Sequence, residues 1–532
     1  MAESEERERE RDRIHETIWK IANELRGSID GWDFKQYVLG TLFYRFLSEN
    51  LENYVDRKQH EAGYAGFSYG DVSDEEAQVG RKDICNALGY FILPSQLFYK
   101  LVKESQDADA GDLNLKLDKI FTDIVKSTSG LPSQQAFEGL FDEFDVTSKK
   151  LGSTPHERYE TLAKLLSRVA EFKLSDFPES GRDTFGDAYE YLMTMYAANA
   201  GKSGGEFFTP PEVGELLARI SLIDPKDPQK DRAKVKSVYD PTCGSGGLLL
   251  KFAKILGTEN VDHFYGQDKA LTVYNLCRMN MILHRIPFSN FEIKLGDTLI
   301  NPYFPATFQK DRFECIVSNP PYSLNWKSGD DPTLINDPRF ESAGRLAPKN
   351  AADYAFIEHA LYCLSNTGCA AIVVFPGVLH RGNAEKTIRE WLVKNNFIDT
   401  IIQLPANLFF GTQIATSILV LRKNKKDDTI LFINAKEEFK HYKNQNKLES
   451  ENIDRILERV RKRNDVKGMS HLADFAEVEA NDFNLSVQLY IAESDAKKEI
   501  DIDELNRQIK ETVQKEEELR KAINSLINGV EI

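Results

Sequence analysis

The feature that most constrains this chain is a short apolar segment, Phe313–Ser318, that stops abruptly at Asn319-Pro320-Pro321-Tyr322. The segment is short, apolar and bounded by residues that end a ladder, so it predicts a buried β-strand. A residue before proline is driven into an extended conformation, and proline has no amide hydrogen to donate. We therefore expect Asn319 and the Pro320 carbonyl at the strand's carboxyl end, the edge where open α/β sheets bind ligands.

This arrangement suits the alkylation of an exocyclic amine on an aromatic ring. The Asn319 side-chain oxygen and the Pro320 carbonyl are acceptors for the two amine hydrogens, and Tyr322 offers an aromatic face for the ring. Positioning and stabilisation of developing positive charge would carry most of the rate, without a strong general base. Taken alone, the tetrapeptide fits a proline-stiffened loop around a buried tyrosine equally well.

A second motif lies upstream, where a strand-like segment leads into an apolar helix through the loop Asp240-Pro241-Thr242-Cys243-Gly244-Ser245-Gly246-Gly247. Leu249 stands where the dinucleotide pattern GxGxxG has its third glycine, which disfavours a nicotinamide cofactor. Three successive predicted strands end at Asp240, Asp268 and Asp297. One such Asp is usually a turn former or a helix cap. Three of them beside a glycine loop predict a ring of acceptors for a ligand that carries an amine, a diol and an adenine amino group.

A glycine-rich segment, Gly201–Gly205, precedes the predicted start of a helix. Thr209 is predicted as the N-cap and Pro210 as the first helical residue, with Glu212 completing a capping box. The simple interpretation is a helix cap. The functional interpretation adds that Thr209 and its neighbouring amides hold a carboxylate, because helix starts attract anions.

Short apolar strands alternate with helices from Val235 to about Arg422, which predicts a mainly parallel, doubly wound α/β sheet. Before it, apolar residues at helical spacing predict an all-α N-terminal domain over residues 1–165. Residues 166–475 are assigned to a catalytic domain and 476–532 to a helical tail. The tail has a heptad stripe from Ile502 to Leu526, which fits either a helix packed on the parent domain or one that pairs with a partner subunit.

Composition narrows the class of protein further. With 532 residues, 41% of them hydrophobic and 29% charged, the chain is expected to be globular and to have more than one domain. No apolar run approaches the ~20 residues needed to span a bilayer. The charged N-terminus lacks a signal-peptide core, so we expect a cytoplasmic protein without membrane contact. Six scattered cysteines indicate reduced core thiols, and no catalytic metal is predicted.

As a set, these motifs resemble the N6-adenine DNA methyltransferase subunit, or modification subunit, of type I restriction-modification systems. The resemblance spans most of the chain: the helical N-terminal domain and the segments Phe207–Val213, Asp240–Gly246, Asn319–Tyr322 and Phe409-Phe410-Gly411-Thr412. It implies a Rossmann-like class I fold that uses S-adenosylmethionine. It also implies methylation of the N6 amine of an adenine that is flipped out of duplex DNA.

The resemblance implies which residues surround the cofactor. Its methionine carboxylate lies near Phe208, Thr209 and Pro210, and its methionine part is wrapped by the loop residues Asp240, Thr242, Gly244, Ser245 and Gly246. Asp268 accepts from the ribose hydroxyls, although many relatives have Glu at this position, and Asp297 accepts from the cofactor adenine. Asn319 also lies beside the cofactor.

For the target adenine, the resemblance implies that Asn319 and Pro320 hold the amine and that Tyr322 stacks on the base. Either Phe409 or Phe410 covers the other face of the base.

The resemblance further implies a division of labour between subunits. A separate specificity subunit reads the DNA sequence, two methyltransferase subunits assemble with one of these, and a restriction subunit joins for cleavage. The net charge of −16 agrees with this, because phosphate contacts need surface Lys and Arg. The sequence has no P-loop pattern, so ATP-driven translocation is not expected of this chain.

Several alternatives stay open on the residues alone. An amine clamp also suits cytosine N4, although Asn319 at the first motif position favours adenine. Methyltransferases of protein glutamine and of guanine in ribosomal RNA share the tetrapeptide, but they usually lack the long helical N-terminal domain. A scaffold with a decayed site is improbable, because the Asp240, Asp268, Asp297, Asn319 and Tyr322 set is intact.

Overall fold

The computed structural model describes residues 34–106, 112–171, 184–199, 209–224, 226–304, 313–327, 332–409, 412–442 and 445–491, with isolated helical positions 507, 510, 513–514 and 520–521. Met1–Ile491 form one compact unit and Ala492–Ile532 a second. The predicted heptad residues of the tail lie outside the described residues. The domain boundaries at 165 and 475 stay predictions.

From Phe34 onward the described residues of the first part of the chain are helical, which confirms the prediction there; residues 1–33 lie outside the described residues. Its helices are α1 (Phe34–Glu61), α2 (Asp74–Leu88), α3 (Phe98–Glu104), α4 (Leu113–Ser127), α5 (Gln134–Phe137) and α6 (Pro155–Ala170), with 3-10 turns at Tyr69–Asp71 and Pro94–Gln96. Capping boxes define two of the starts: Ser73 accepts from the Glu76 amide, and Thr154 accepts from the Glu157 amide. Aromatic rings fill the core, and those of Phe121 and Phe141 stack at 4.2 Å.

Helices and strands alternate in the second part. The helices are α7 (Thr184–Asn199), α8 (Pro211–Leu222), α9 (Gly247–Leu256), α10 (Leu271–Leu283), α11 (Pro332–Ile335), α12 (Asp353–Cys363), α13 (Asn383–Lys394), α14 (Ser450–Lys462), α15 (Phe475–Ala480) and α16 (Val487–Tyr490). Short 3-10 turns lie at Thr258–Asn260, Phe288–Asn290, Glu341–Ala343 and Pro376–Leu379.

The strands are β1 (Val235–Asp240), β2 (Val261–Asp268), β3 (Phe291–Leu295), β4 (Phe313–Ser318), β5 (Leu364–Val374), β6 (Ile398–Gln403), β7 (Ser417–Leu421), β8 (Ile430–Asn434), β9 (Lys440–Tyr442), β10 (Gln445–Lys447) and β11 (Ser470–Ala473). Nine of them form one sheet in the order β11-β8-β6-β7-β5-β4-β1-β2-β3, and β9 pairs with β10 separately.

The large sheet is mainly parallel and doubly wound, as predicted. Strands β3, β2, β1, β4 and β5 are parallel neighbours, and so are β6 and β8. Strand β7 runs antiparallel between β5 and β6, and β11 runs antiparallel to β8. The chain order reverses between β1 and β4, so the ends of these two strands form the topological switch point where ligands bind in such sheets.

Both faces of the sheet are buried by helices. Along β1 and β4, Val238 and Cys315 belong to the core that the sheet shares with the N-terminal helices, whereas Tyr239 and Ile316 face the core on the opposite side. This alternation follows from the two-residue period of a strand. All six cysteines are buried and none is in a disulfide, as expected of core thiols.

The N-terminal helices dock on α10. The buried Arg278 guanidinium donates to the Glu138 carbonyl at 2.7 Å and to the Asn275 side chain at 2.5 Å. From the helical side, Glu143 accepts from Thr272 at 2.5 Å and from Asn275 at 3.2 Å. Helix α10 therefore connects the helical part to the sheet. Within the described parts of the chain, no helix is long and apolar enough to cross a bilayer.

Candidate active site

The predicted site residues gather at the carboxyl ends of β1, β2, β3 and β4, which we call the carboxyl edge. Asp240 and Asp268 are the last residues of β1 and β2, Asn319 directly follows β4, and Asp297 lies two residues beyond β3. Hydrogen bonds connect neighbouring strand ends. The Thr242 and Ser318 hydroxyls lie 2.8 Å apart across β1 and β4.

The glycine loop between β1 and α9 depends on a backbone that only glycine adopts without strain. Gly246 has φ +81° and caps α9, and a Cβ at this position would lie 2.8 Å from Cys277 Sγ. Its amide donates to the Cys243 carbonyl at 2.8 Å. The loop is therefore a tight turn pressed against α10, which leaves the amides at the start of α9 available to a ligand.

Asp240 is a buried carboxylate that is only half satisfied. Its Oδ1 accepts from the Thr242 amide at 3.0 Å, whereas its Oδ2 is buried and has no hydrogen-bond partner among the described residues. Burial raises the pKa of Asp240 to about 7, with the Thr242 amide opposing the shift. An unpartnered buried acceptor costs ~1–3 kcal/mol, so this atom fits a ligand that brings a hydrogen-bond donor such as an amine.

The other two acidic residues hold the loops around this edge. Asp268 accepts from the Gly244 amide at 3.1 Å through Oδ2 and from the Ala270 amide at 2.9 Å through Oδ1. Burial raises its pKa as well. Asp297 Oδ1 accepts from the Leu299 amide at 3.0 Å. Asp240 and Asp268 thus end adjacent strands as predicted, whereas the third strand ends at Leu295 and not at Asp297, which lies in the loop beyond it.

The Asn319 side chain is held from both ends. It is 9% exposed, its Nδ2 donates to Thr209 Oγ1 at 3.1 Å, and its Oδ1 accepts from the Tyr322 hydroxyl at 2.7 Å. The amide is thereby oriented, and Oδ1 retains a second lone pair. Burial raises the pKa of Tyr322, so its hydroxyl stays protonated and remains a donor.

The predicted capping box at Thr209 is wrong. Helix α8 begins at Pro211, its N-cap is Pro210, and no side chain of the described residues caps it. Proline suits the first helical position because it has no amide hydrogen to leave unsatisfied. With two consecutive prolines, the second one takes that position. Thr209 is therefore displaced by one residue from the N-cap, and its hydroxyl contacts Asn319 instead.

Sequence reasoning missed a small, mostly apolar cavity beside Thr209 that also has polar side chains in its wall. The cavity has a volume of about 30 Å³, and its lining residues include Lys251, Asn280 and Glu190. Asn280 donates to the Ser245 carbonyl at 2.9 Å, while its own Oδ1 is buried and has no partner within the described parts of the chain. Burial lowers the pKa of Lys251, and Glu190 opposes that shift. No sequence pattern marked these residues, because helices α7, α9 and α10 bring them together only in the fold.

Of the two phenylalanines predicted to cover the target base, only Phe409 lies within the described residues. Phe409 is 3% exposed and packs in the hydrophobic core. Phe410 lies outside the described residues, as does Phe208, which was predicted near the cofactor. The structure adds a different aromatic residue: Phe375, at the end of β5, has its ring 6.2 Å from that of Tyr322. The sequence does carry a signal for Phe375, because this phenylalanine directly follows an apolar strand and precedes a proline.

The strand order 3-2-1-4-5-7-6 with an antiparallel β7, the glycine loop after β1 and the acidic strand ends define a class I S-adenosylmethionine-dependent methyltransferase. The Asn-Pro-Pro-Tyr motif at the end of β4 marks the subclass that methylates amines.

Comparison with known proteins identifies the family. Residues 180–499 match the model for N-6 DNA methylases, and residues 14–169 match the model for the HsdM N-terminal domain. The chain is 45% identical, over 99% of its length and 98% of the relative's, to the methylase subunit of the type I restriction enzyme MpnII from Mycoplasma pneumoniae. It is 33% identical, over 68% of its length and 62% of the relative's, to the MjaVIII methylase subunit from Methanocaldococcus jannaschii.

A crystal structure of the type I methyltransferase subunit from Streptococcus thermophilus has a similar fold. It superposes with a TM-score of 0.79 at 35% identity, over 90% of this chain and 99% of that one. The chain belongs to the N-6 DNA methylase family, among the methylase subunits of type I restriction-modification systems.

The family membership decides the activity. The protein is an S-adenosylmethionine-dependent, site-specific DNA methyltransferase that modifies adenine at N6. It acts on DNA together with other subunits of a restriction-modification system. The alternatives of cytosine N4, RNA and protein glutamine are not favoured. The cytoplasmic location stays a prediction.

Proposed function

We propose that the carboxyl edge binds S-adenosylmethionine with its three chemical parts at three strand ends. The amine faces the unpartnered Oδ2 of Asp240, the ribose hydroxyls donate to Asp268, and the adenine amino group donates to Asp297. The observations that support this are the buried, half-satisfied Asp240 and the bonding of Gly244 to Asp268. The glycine loop, with Thr242, Ser245 and Gly246, then lies along the methionine part.

The methionine carboxylate is proposed to point toward the cavity beside Thr209 and Pro210. Lys251 lines this cavity and supplies positive charge, and the start of α9 adds the partial positive charge of its amides. Oppositely charged groups in a partly buried site attract each other more strongly than in water. Lys251 would therefore add to cofactor affinity even though no family motif includes it.

The reaction is proposed to depend on how Asn319 is held. When bound, S-adenosylmethionine supplies an electrophilic methyl group. Asn319 Oδ1 and the Pro320 carbonyl accept the two hydrogens of the adenine amine, which draws its lone pair away from the ring and stabilises the positive charge that develops on nitrogen. Thr209 fixes the amide so that the oxygen, rather than the nitrogen, faces the amine.

The target base is proposed to stack on Tyr322. An adenine inside a duplex must be flipped out, at a cost of a few kcal/mol, and stacking on an aromatic ring returns ~1–3 kcal/mol of that cost. Phe375 supports the Tyr322 ring from the side. Of the two predicted covering residues, Phe410 is the better candidate, because Phe409 is already committed to the core.

The finer subunit arrangement is part of the same proposal: two copies of this chain with one specificity subunit that reads the sequence, and a restriction subunit that joins for cleavage. The net charge of −16 supports it, because an acidic chain needs a partner to bind a polyanion tightly.

The observation that carries the proposed mechanism is the Asn319 side chain, bonded at both ends next to the switch point. The test is transfer of radiolabelled methyl from S-adenosylmethionine to duplex DNA, by this chain alone and with its specificity subunit, followed by nucleoside mass spectrometry. N6-methyladenine that appears only with the partner supports the proposal. Equal transfer by the chain alone would refute the division of labour, and sedimentation of the complex would check the two-to-one stoichiometry.

A further inference from the structure

A buried arginine that no motif includes contacts the loop that carries Asp297. Arg339 is 4% exposed and lies between α11 and the 3-10 turn Glu341–Ala343, in the segment that follows the Asn-Pro-Pro-Tyr motif. Its charge is matched by Asp337, which accepts from Nε at 2.9 Å and from Nη2 at 2.7 Å. This bidentate pair fixes the plane of the guanidinium.

Two of the three remaining donors of Arg339 bond to the loop that carries Asp297. Nη1 donates to the Thr298 carbonyl at 2.9 Å, and Nη2 donates to the Leu299 carbonyl at 2.6 Å. The amide of Leu299 in turn donates to Asp297 Oδ1 at 3.0 Å. Arg339 therefore holds the same short stretch of backbone that orients the Asp297 carboxylate.

The Asp297 loop is also tied to the glycine loop. The Thr298 hydroxyl donates to the Pro241 carbonyl at 2.6 Å, one residue after Asp240. Gln267, just before Asp268, donates to the Gly296 carbonyl at 3.2 Å. Arg339 holds this set of loops through its bonds to the Thr298 and Leu299 carbonyls.

A second branch runs from Arg339 to β1. Nη1 lies 3.1 Å from His359 Nδ1, so Nδ1 accepts and the ring proton is on Nε2. Nε2 lies 3.0 Å from the Tyr239 hydroxyl, next to Asp240. Burial, with the nearby Arg339 charge, lowers the pKa of His359 well below its usual range, which keeps the ring neutral and this tautomer in place.

Only arginine can make this set of contacts. Five N–H donors in one rigid plane serve a carboxylate, two carbonyls and an imidazole at once, whereas the lysine ammonium has three donors on a flexible stem. We propose that Arg339 is a positioning residue for cofactor recognition, which sets the Asp297 loop in the geometry that selects an adenine. This inference rests on the role proposed above for Asp297.

The test is a double-mutant cycle read by binding of S-adenosylhomocysteine to the purified full-length chain. Arg339→Lys is expected to weaken binding about fivefold to tenfold, the loss expected for one or two hydrogen bonds. It should also reduce the preference for S-adenosylhomocysteine over its 6-oxo analogue, S-inosylhomocysteine, because that preference depends on where the Asp297 carboxylate lies. In the Asp297→Ala background, Arg339→Lys should have little further effect.

Arg389→Lys is the matched control. Arg389 is 1% exposed and also donates to carbonyls, those of Phe483 at 2.6 Å and Arg381 at 2.9 Å, but none of these belongs to the Asp297 loop. It should lower thermal stability about as much as Arg339→Lys while leaving the adenosyl-over-inosyl preference unchanged. If Arg339→Lys fails to fold, Asp337→Asn, which keeps the arginine and the volume, replaces it in the cycle.

The measurements distinguish a failure of the role proposed for Asp297 from a failure of the positioning role proposed for Arg339. If Asp297→Ala binds S-adenosylhomocysteine normally, the role of Asp297 is wrong, and the positioning role falls with it. Two outcomes would overturn the inference while leaving the role of Asp297 intact. In the first, Asp297→Ala weakens binding, but Arg339→Lys still has its full effect in the Asp297→Ala background. In the second, Arg339→Lys leaves the adenosyl-over-inosyl preference as unchanged as Arg389→Lys does, so Arg339 is only structural.

Discussion

The Tyr322 hydroxyl donates to Asn319 Oδ1 at 2.7 Å, within the tetrapeptide that ends β4. Tyr322, which is proposed to stack on the target base, thus also orients Asn319, which is proposed to hold the amine of that base. The prolines between them stiffen the turn, and Thr209 bonds the other end of the same amide at 3.1 Å. The acceptor is pre-oriented before a base arrives, which lowers the reorganisation needed during the reaction.

Asn319→Ala removes the side-chain acceptor and leaves the glycine loop and the acidic strand ends unchanged. We expect methyl transfer to fall by about 10²–10³-fold or more, the usual loss for a preorganised group that stabilises developing charge. S-adenosylhomocysteine binding should stay within about fivefold of normal, because the loss of one hydrogen bond costs ~1 kcal/mol. Single-turnover transfer and calorimetric binding measure the two quantities. Normal turnover would show that Asn319 does not hold the amine.

Two substitutions of Tyr322 separate the two proposed roles of its side chain, which are bonding to Asn319 and stacking on the target base. Tyr322→Phe keeps the ring and loses only the bond to Asn319, so we expect a moderate drop in the rate of transfer and normal base flipping. Tyr322→Ala also loses stacking and should weaken the flipped state by ~1–3 kcal/mol. The fluorescence of 2-aminopurine at the target position, measured in the complex with the specificity subunit, reports flipping directly. Equal flipping by both variants would contradict the stacking role.

Two adjacent glycines provide a matched pair for the cofactor loop. Gly246→Ala places a Cβ at φ +81° and 2.8 Å from Cys277 Sγ, whereas the Cβ of Gly247→Ala would meet nothing nearer than 4.0 Å. We expect Gly246→Ala to cost ~1–2 kcal/mol of unfolding free energy from backbone strain alone, and to weaken cofactor binding. Gly247→Ala should leave stability unchanged or raise it by up to ~1 kcal/mol, because alanine favours a helix. Denaturant unfolding of both variants checks this; equal losses would show that the tight turn is not required.

Cofactor binding should depend on pH through Asp240. Burial raises the pKa of this carboxyl to about 7, so in the free protein it is increasingly protonated as the pH falls below 7. The proposed partner is a positively charged amine, which favours the ionised carboxylate. The affinity for S-adenosylhomocysteine is therefore expected to be full above this range and to fall toward tenfold per pH unit below it. Asp240→Asn should bind more weakly and lose this dependence. A pH-independent wild-type affinity would remove Asp240 from the amine site.

The sequence by itself determined the local elements and the family. The end of β1 at Asp240 and the bounds of β4 were predicted correctly, because each strand is an apolar run closed by a strong stop signal: an aspartate with a glycine loop, or a double proline. The motifs were sufficient to recognise an amino-methyltransferase, since the chemistry requires particular residues at fixed short spacings.

Only the tertiary structure decided the direction of strand β7 and the contacts between residues that lie far apart in the sequence. The apolar strand β7 has the same pattern in either direction, so its antiparallel course follows from packing between β5 and β6. Thr209 and Asn319 are 110 residues apart, and Arg339 meets Thr298 across 41 residues. Such bonds form because burial leaves polar groups no water to pair with. Which groups are buried together is a property of the fold, and no spacing in the sequence records it.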